Sequence, residues 1–298
     1  MPSFRSRIIQ RIMRDSKDAL LGNLPVEVRR RRIDAAARRS IRVPRGVCLQ
    51  TVAADGVPSD WLEPDHAIPG RAILYLHGGA YVICSPTTHR GLAGSIAQSS
   101  RARLLLIDYR LAPEHPFPAA LDDALTAYRW LLGKGYSPEH IAIGGDSAGG
   151  GLTLATALSL HDTHENMPAA LFLLSPWADL TFSGDSIRTR ADRDPLLQLN
   201  DDGWLVKSYV NGHSLTHPYI SPLFADLHGL PPTFIQVGTE EILYDDSIRL
   251  EQKARLAGVD VSLETWPGMW HVFQAFAPYV PESQHAIENI GEFIRSHL

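Results

Sequence analysis

The stretch Ile141–Gly151, IAIGGDSAGGG, decides how the rest of the chain is read. Ile141, Ala142, Ile143 and Gly144 have strand character and run directly into Gly145-Asp146-Ser147-Ala148-Gly149, after which Leu152 to Leu160 has the composition of a helix. A serine on so abrupt a strand-to-helix turn is presented with its hydroxyl above the sheet. The glycines two before and two after it have no Cβ to obstruct the chain where it doubles back. The positive end of the following helix lies beneath the hydroxyl. Gly-x-Ser-x-Gly by itself also describes an ordinary Gly-rich turn, so the strand before it and the helix after it carry the weight.

On the N-terminal side, Ala72-Ile73-Leu74-Tyr75-Leu76 is a continuous apolar run of the kind a parallel sheet buries on both faces. It leads into His77-Gly78-Gly79-Ala80-Tyr81, where two adjacent glycines let backbone N–H groups point into a cavity, as a developing oxyanion requires. An ordinary Gly-Gly turn is the alternative. Leu104–Asp108 is the next strand, and the three prolines between Tyr109 and Pro118 dictate a fixed loop. Ala119 to Lys134 is helical by its spacing of Leu121, Ala124, Leu125, Tyr128, Leu131 and Leu132. Farther along, Ala170–Leu174 and Thr233–Val237 are buried strands, Leu243–Ala257 is a helix, Val259–Glu264 an alternating edge strand and Ser283–His297 an amphipathic helix. Val47–Val52 and Ser59–Glu63 bracket Asp55-Gly56-Val57-Pro58 as a hairpin. Strand, helix, strand, helix at this spacing predicts right-handed crossovers and an α/β fold: a mostly parallel central sheet flanked by helices.

Two segments break that rhythm. Residues 5 to 20 place Ile8, Ile9, Ile12, Met13 and Leu20 at helical spacing among arginines, and a second helix starts at Leu24-Pro25-Val26 and carries Arg29–Arg32 and Arg38-Arg39. Residues 181–217 are polar and hold one helix, Asn200 to Val210, with Trp204, Leu205 and Tyr209. An insertion at the C-terminal edge of a parallel sheet is well placed to cover a site there and to line it with aromatics.

The 298 residues carry a net charge of −5, unevenly spread. Residues 1–45 hold 13 Lys+Arg against 4 Asp+Glu, a local +9, and the remainder holds 15 against 29, or −14. A solvated helix face explains the arginine run most simply, with an anionic partner or membrane surface as the rival. No aromatics interleave with the arginines for base stacking, so a nucleic-acid partner is not expected. Cys48 and Cys84 stand in no metal or redox spacing, and neither do His161, His164 and Glu165 in a zinc spacing. Without a signal-like apolar core at the N-terminus or an 18-residue apolar run, a cytoplasmic protein with no stable membrane insertion is expected.

A serine hydroxyl is a poor nucleophile until a base takes its proton, and that base needs a carboxylate to fix its tautomer. The order here is Ser147, then Glu240-Glu241, then His271, each just past the C-terminal end of a strand. In a parallel sheet those ends share one edge, and the order serine, acid, histidine is that of the α/β-hydrolases. His77 and His115 are read as structural.

With these motifs the chain resembles bacterial esterases of the hormone-sensitive lipase family. The resemblance rests on His77-Gly78-Gly79-Ala80, Asp108-Tyr109-Arg110-Leu111-Ala112-Pro113-Glu114, Gly145-Asp146-Ser147-Ala148-Gly149, Glu240-Glu241 and the Gly-x-x-His ending at His271, and covers the chain from about residue 70 onward. It implies an α/β-hydrolase fold over 46–180 and 218–298, with 1–45 and 181–217 forming a helical cap. It also implies oxyanion donors at Gly78, Gly79 and Ala148, and an acyl-transfer mechanism that uses no cofactor or metal. Tyr81, Asp146, Trp204 and Tyr209 are the expected substrate contacts. Two departures stand out: Ala80 replaces the fourth residue of the family's His-Gly-Gly-Gly, and Glu241 falls where the family's Asp-Pro-Leu-x-Asp carries its aspartate. The expected activity is hydrolysis of short- to medium-chain carboxylic esters, with a small-molecule ester as the only required partner and a homodimer as an open possibility. An amidase or other acyl hydrolase on the same residues, and a non-catalytic small-molecule binder, are the rivals.

Overall fold

The apolar runs expected to be strands assemble into one sheet in the computed structural model. It describes residues 2–21, 24–197 and 203–298, without the side chains of 15–21. The strands are β1 (Val47–Ala54), β2 (Val57–Pro64), β3 (Ala72–Leu76), β4 (Arg103–Ile107), β5 (Ile141–Asp146), β6 (Ala170–Leu174), β7 (Thr233–Gly238) and β8 (Val261–Trp266). Their order across the sheet is β1-β2-β4-β3-β5-β6-β7-β8. β1 and β2 pair antiparallel, as do β2 and β4, and every pairing from β4 to β8 is parallel. The C-terminal ends at Leu76, Asp146, Leu174 and Gly238 therefore lie along one edge. The helices are α1 (Phe4–Leu21), α2 (Val26–Ser40), α3 (Pro86–Ser100), α4 (Ala119–Gly133), α5 (Ala148–Asp162), α6 (Ser186–Thr189), α7 (Trp204–Val210), α8 (Tyr244–Leu256) and α9 (Pro281–His297).

Strand alternation splits the core into two layers. Leu74, Leu105, Ile143, Leu171 and Leu173 face α4, α5 and α8, whereas Ile73, Tyr75, Leu104, Leu106, Phe172 and Leu174 face α3 and α9. Both faces are covered, which is why the central strands are apolar throughout. Each such side chain contributes roughly 2 kcal/mol by leaving water.

Several boundaries move relative to the sequence-based expectation. Ala54 pairs with Val57, so the hairpin loop is only Asp55-Gly56, both at positive φ (47° and 93°), and Val57 and Pro58 belong to β2. Two positive φ angles in a two-residue loop match the right-handed strand twist. β8 begins at Val261 because the N–H of Val259 is spent on the carbonyl of Ala254 at the end of α8. α5 begins at Ala148, through the three glycines, because those positions press against Leu76, Pro176 and Trp177. The expected start of the insertion's helix at Asn200 lies outside the described residues, as does the side chain of Leu20. α7 is described from Trp204.

α3 was not legible at all. Its apolar residues are few, Leu92 and Ile96 among alanines, serines and glycines. Its start is nevertheless encoded: Pro86 occupies the first turn and the N–H of Ser85 donates to Thr88 Oγ1 at 3.1 Å.

One buried charge arrangement gives the fold a pH dependence. Asp246 on α8 is buried and its Oδ2 accepts the N–H groups of Ala178 and Asp179, both at 2.9 Å. Burial, then the nearby charge of Asp179, raises its pKa from 3.8 to about 8. The folded protein thus holds a proton that the unfolded chain releases between pH 3.8 and 8, so this group lowers stability as pH rises through that window. Asp246→Asn supplies the same acceptor oxygen without the charge. Its melting temperature is expected to fall less between pH 6 and pH 9 than the wild type's, by a few °C, since about 1 kcal/mol shifts a domain of this size by roughly 2 °C. Parallel pH dependences in calorimetry would contradict this.

Candidate active site

The turn at Ser147 is built by close approach. Ser147 has φ 53° and ψ −122°, a combination an L-residue adopts only when its surroundings impose it. A Cβ at Gly145 or Gly149 would collide with the carbonyl oxygen of Leu76. The serine's backbone is pinned by Ser147 N to Leu174 O and by Trp177 N to Ser147 O, both 2.9 Å. α5 starts at the next residue, so its positive end lies beneath the hydroxyl.

The histidine and the acid meet as a buried pair. Nδ1 of His271 lies 2.8 Å from Glu241 Oε2. The other glutamate oxygen accepts the N–H of Gly238 at 2.6 Å and the hydroxyl of Ser175 at 2.8 Å. Burial disfavours protonation of the ring, but the hydrogen bond and charge of Glu241 outweigh it, so the His271 pKa is raised. Glu240 points elsewhere: it forms a two-pronged ion pair with Arg193, at 2.9 and 2.5 Å. Among the described residues no hydrogen bond joins Ser147 Oγ to His271, whose side chain bonds to Glu241.

Across from the serine, Gly78 and Gly79 follow β3. Gly79 has φ 118°, and a side chain on Gly78 would strike Asp146. Among the described residues, the N–H groups of Gly78, Gly79 and Ala148 donate to no protein acceptor. The loop is braced from behind. Tyr109 Oη donates to His77 O at 2.6 Å, and the two rings stack with centroids 4.3 Å apart. Burial, then neighbouring His89, lowers the His77 pKa to about 3, so this ring is neutral.

The expected substrate contacts divide. Tyr81 and Tyr209 are both buried and stack face to face, centroids 3.7 Å apart and 4° from parallel. Tyr81 also leans toward Trp177, whose ring stacks on Phe182 at 5.5 Å. Phe182 lines a cavity of about 400 Å³ with Leu180, Val206, Val210 and Leu215. Trp204 is apart from this wall and 40% exposed, because five positions along a helix place it about 140° from Tyr209. Asp146 is turned away as well: strand alternation points it toward α3, where its oxygens meet Tyr75 Oη at 2.8 Å and His89 Nε2 at 3.2 Å. At 2% exposure it is a support beneath the glycine loop and offers no free face to a ligand.

Known proteins share this fold. A family model described as the alpha/beta hydrolase fold matches residues 73–275. An acetyl-hydrolase of Streptomyces hygroscopicus is 43% identical over 276 residues, covering 92% of this chain and 91% of the relative. An esterase of Acinetobacter venetianus is 42% identical over 227 residues, covering 76% and 75%. Among solved structures, an esterase from the bacterial hormone-sensitive lipase family superposes with a TM-score of 0.94 at 41% identity, over 100% of this chain and 99% of that one. The chain belongs to the hormone-sensitive lipase family of α/β hydrolases. It is a carboxylic ester hydrolase.

In this family member several supporting residues escaped the sequence reading. His89 pairs with Asp146: burial works against charging either, yet each stabilises the other's ion, raising the histidine pKa and lowering the aspartate's. Ser175, at φ 47°, donates to Glu241 and accepts the N–H of Val272 at 3.2 Å, tying the acid to the histidine loop. Asp194 reaches from the insertion, its Oδ2 accepting the N–H of Ile242 at 2.9 Å. The visible signals were a histidine one turn into a capped helix and an Asp-Pro pair in the insertion; neither identifies its distant partner.

Proposed function

We propose that the chain hydrolyses short- to medium-chain carboxylic esters through an acyl-enzyme on Ser147. The observation that carries this is the buried His271–Glu241 hydrogen bond, formed at the same sheet edge as a serine held at φ 53°. Ser147 Oγ attacks the ester carbonyl carbon while His271 Nε2 takes its proton, and Glu241 orients the ring and stabilises the imidazolium. The carbonyl oxygen, now anionic, rests on the N–H groups of Gly78, Gly79 and Ala148. The C–O bond then breaks, and Nε2 returns the proton to the departing alcohol. Water repeats the sequence on the acyl-enzyme and releases the acid.

The apolar cavity beyond Trp177 supplies the acyl side of the site in this account, the buried, stacked Tyr81 and Tyr209 support the wall behind it, and residues 1–45 with 181–217 act as its cap. A cavity of about 400 Å³ suits acyl groups of a few carbons better than a long lipid tail. A panel of p-nitrophenyl esters tests this: kcat/KM is expected to peak at short or medium chains and fall by about tenfold or more toward long ones, while matched anilides are hydrolysed far more slowly. A rate rising steadily with chain length, or equal rates on ester and anilide, would overturn the assignment.

A further inference from the structure

α1 carries apolar side chains on two faces, one packed into the molecule and one exposed among the described side chains. The inner face places Ile9 and Met13 on a cluster of Met269, Trp270 and Phe273, and Ser3 secures the helix start to Glu282 through its N–H at 2.5 Å and its hydroxyl at 2.9 Å. The outer face carries Phe4, Ile8 and Ile12, which are 71%, 42% and 58% exposed. At about 100° per residue these three form a stripe, bordered by Arg5 on one side and by Arg7 and Arg11 on the other. All three arginines are exposed and form no salt bridge among the described residues.

Exposed apolar surface is concentrated in residues 1–45 and 181–217. Of the eight large hydrophobic side chains that stand exposed among the described residues, five (Phe4, Ile8, Ile12, Trp204 and Leu215) lie within 1–45 and 181–217. The two segments are joined by Arg14 Nη2 donating to Arg193 O at 2.9 Å. Charge separates the first of these segments from everything else, +9 over residues 1–45 against −14 for the remainder, in which residues 181–217 carry only −1 (4 Lys+Arg against 5 Asp+Glu).

We propose that the outer face of α1 is a docking surface for an anionic phospholipid membrane. An apolar stripe bordered by arginines is how a helix lies in a headgroup layer: the stripe enters the acyl boundary and the guanidinium groups meet phosphates. The charge division sets the orientation, because a negative surface attracts the first 45 residues and repels the rest. The helix is fixed to the body through Ile9 and Met13, so docking engages the whole molecule and not a loose tail. Its inner face rests against the cluster that holds Trp270, the residue before His271. A membrane on the outer face therefore lies about one helix diameter, roughly 10 Å, from the histidine loop. The association is peripheral: no helix among the described residues is long and apolar enough to cross a membrane.

Flotation of the full chain with vesicles of phosphatidylcholine, with and without phosphatidylglycerol, tests this. The wild type is expected to float with the anionic vesicles, to release them as salt is raised, and to leave the neutral ones unbound. Phe4→Ser with Ile8→Ser, and separately Arg5→Gln with Arg7→Gln and Arg11→Gln, are each expected to lower partitioning about tenfold or more. Circular dichroism and the melting temperature monitor folding, and the arginine variant decides the matter if the serine variant is unstable. Failure of the wild type to float, or variants that float equally, overturns the proposal. So does a wild-type dimer that the serine variant converts to monomer with no lipid binding in either, since the stripe would then face a second copy of this chain.

Discussion

Replacing Ser147 with alanine is expected to lower kcat for a short aryl ester by roughly 10,000-fold or more while leaving KM within a few-fold of the wild type. The alanine removes one oxygen, and the backbone that makes the turn does not depend on it. The strained φ of 53° at Ser147 is enforced by the bonds of its own amide to Leu174 and of Trp177 to its carbonyl, both of which an alanine keeps. Substrate thus meets an intact pocket and unchanged N–H donors, with nothing to attack it. The measurement is steady-state hydrolysis, paired with labelling by a fluorophosphonate, which forms an adduct on the wild type and none on the variant. Near wild-type turnover by Ser147→Ala would remove the nucleophile from the proposed mechanism. Loss of labelling with retained turnover would mean that another route to hydrolysis exists in the chain.

The elbow was readable because its cause is local: a strand, two glycines and a helix must follow one another in sequence for the turn to exist. The same holds for the central strands, whose apolar runs are a direct consequence of helices covering both faces of the sheet. What was not readable depends on partners far along the chain. Asp146 stands next to the serine and is an expected substrate contact, yet it does not face the site. Its actual direction is set by strand alternation and by His89, 57 residues earlier on a helix the apolar pattern did not reveal. Trp204 and Tyr209 were grouped by their aromatic character, yet the pitch of α7 sends them to different sides. The choice between adjacent glutamates rests in the sequence on the family pattern, which falls on Glu241, while its physical cause lies in distant partners. Two carboxylates in a row differ in direction, and direction is fixed by Ser175 and the amide of Gly238 for one and by Arg193 of the insertion for the other.

That division of labour makes the glutamates separable by experiment. Glu241→Ala is expected to lower kcat by about 1,000- to 10,000-fold, the scale at which a histidine without its orienting carboxylate fails. Glu240→Ala, which loses a half-exposed ion pair to Arg193, is expected to stay within a few-fold. Asp245→Ala releases the amide of Ser186, held at 2.8 Å, and touches the insertion without touching His271. The pH profile supplies the sign. Burial alone disfavours protonation of His271, and Glu241 reverses that, so the wild-type histidine becomes protonated, and inactive as a base, at a higher pH than an isolated imidazole. In Glu241→Gln the charge is gone and burial remains. The acidic limb of kcat/KM should therefore move to lower pH even as the plateau drops, because kcat/KM reports the base of the free enzyme. A lower plateau with an unmoved limb would mean that Glu241 only holds the loop in place. Equal losses at Glu240 and Glu241 would mean that the acid is not the residue bonded to Nδ1.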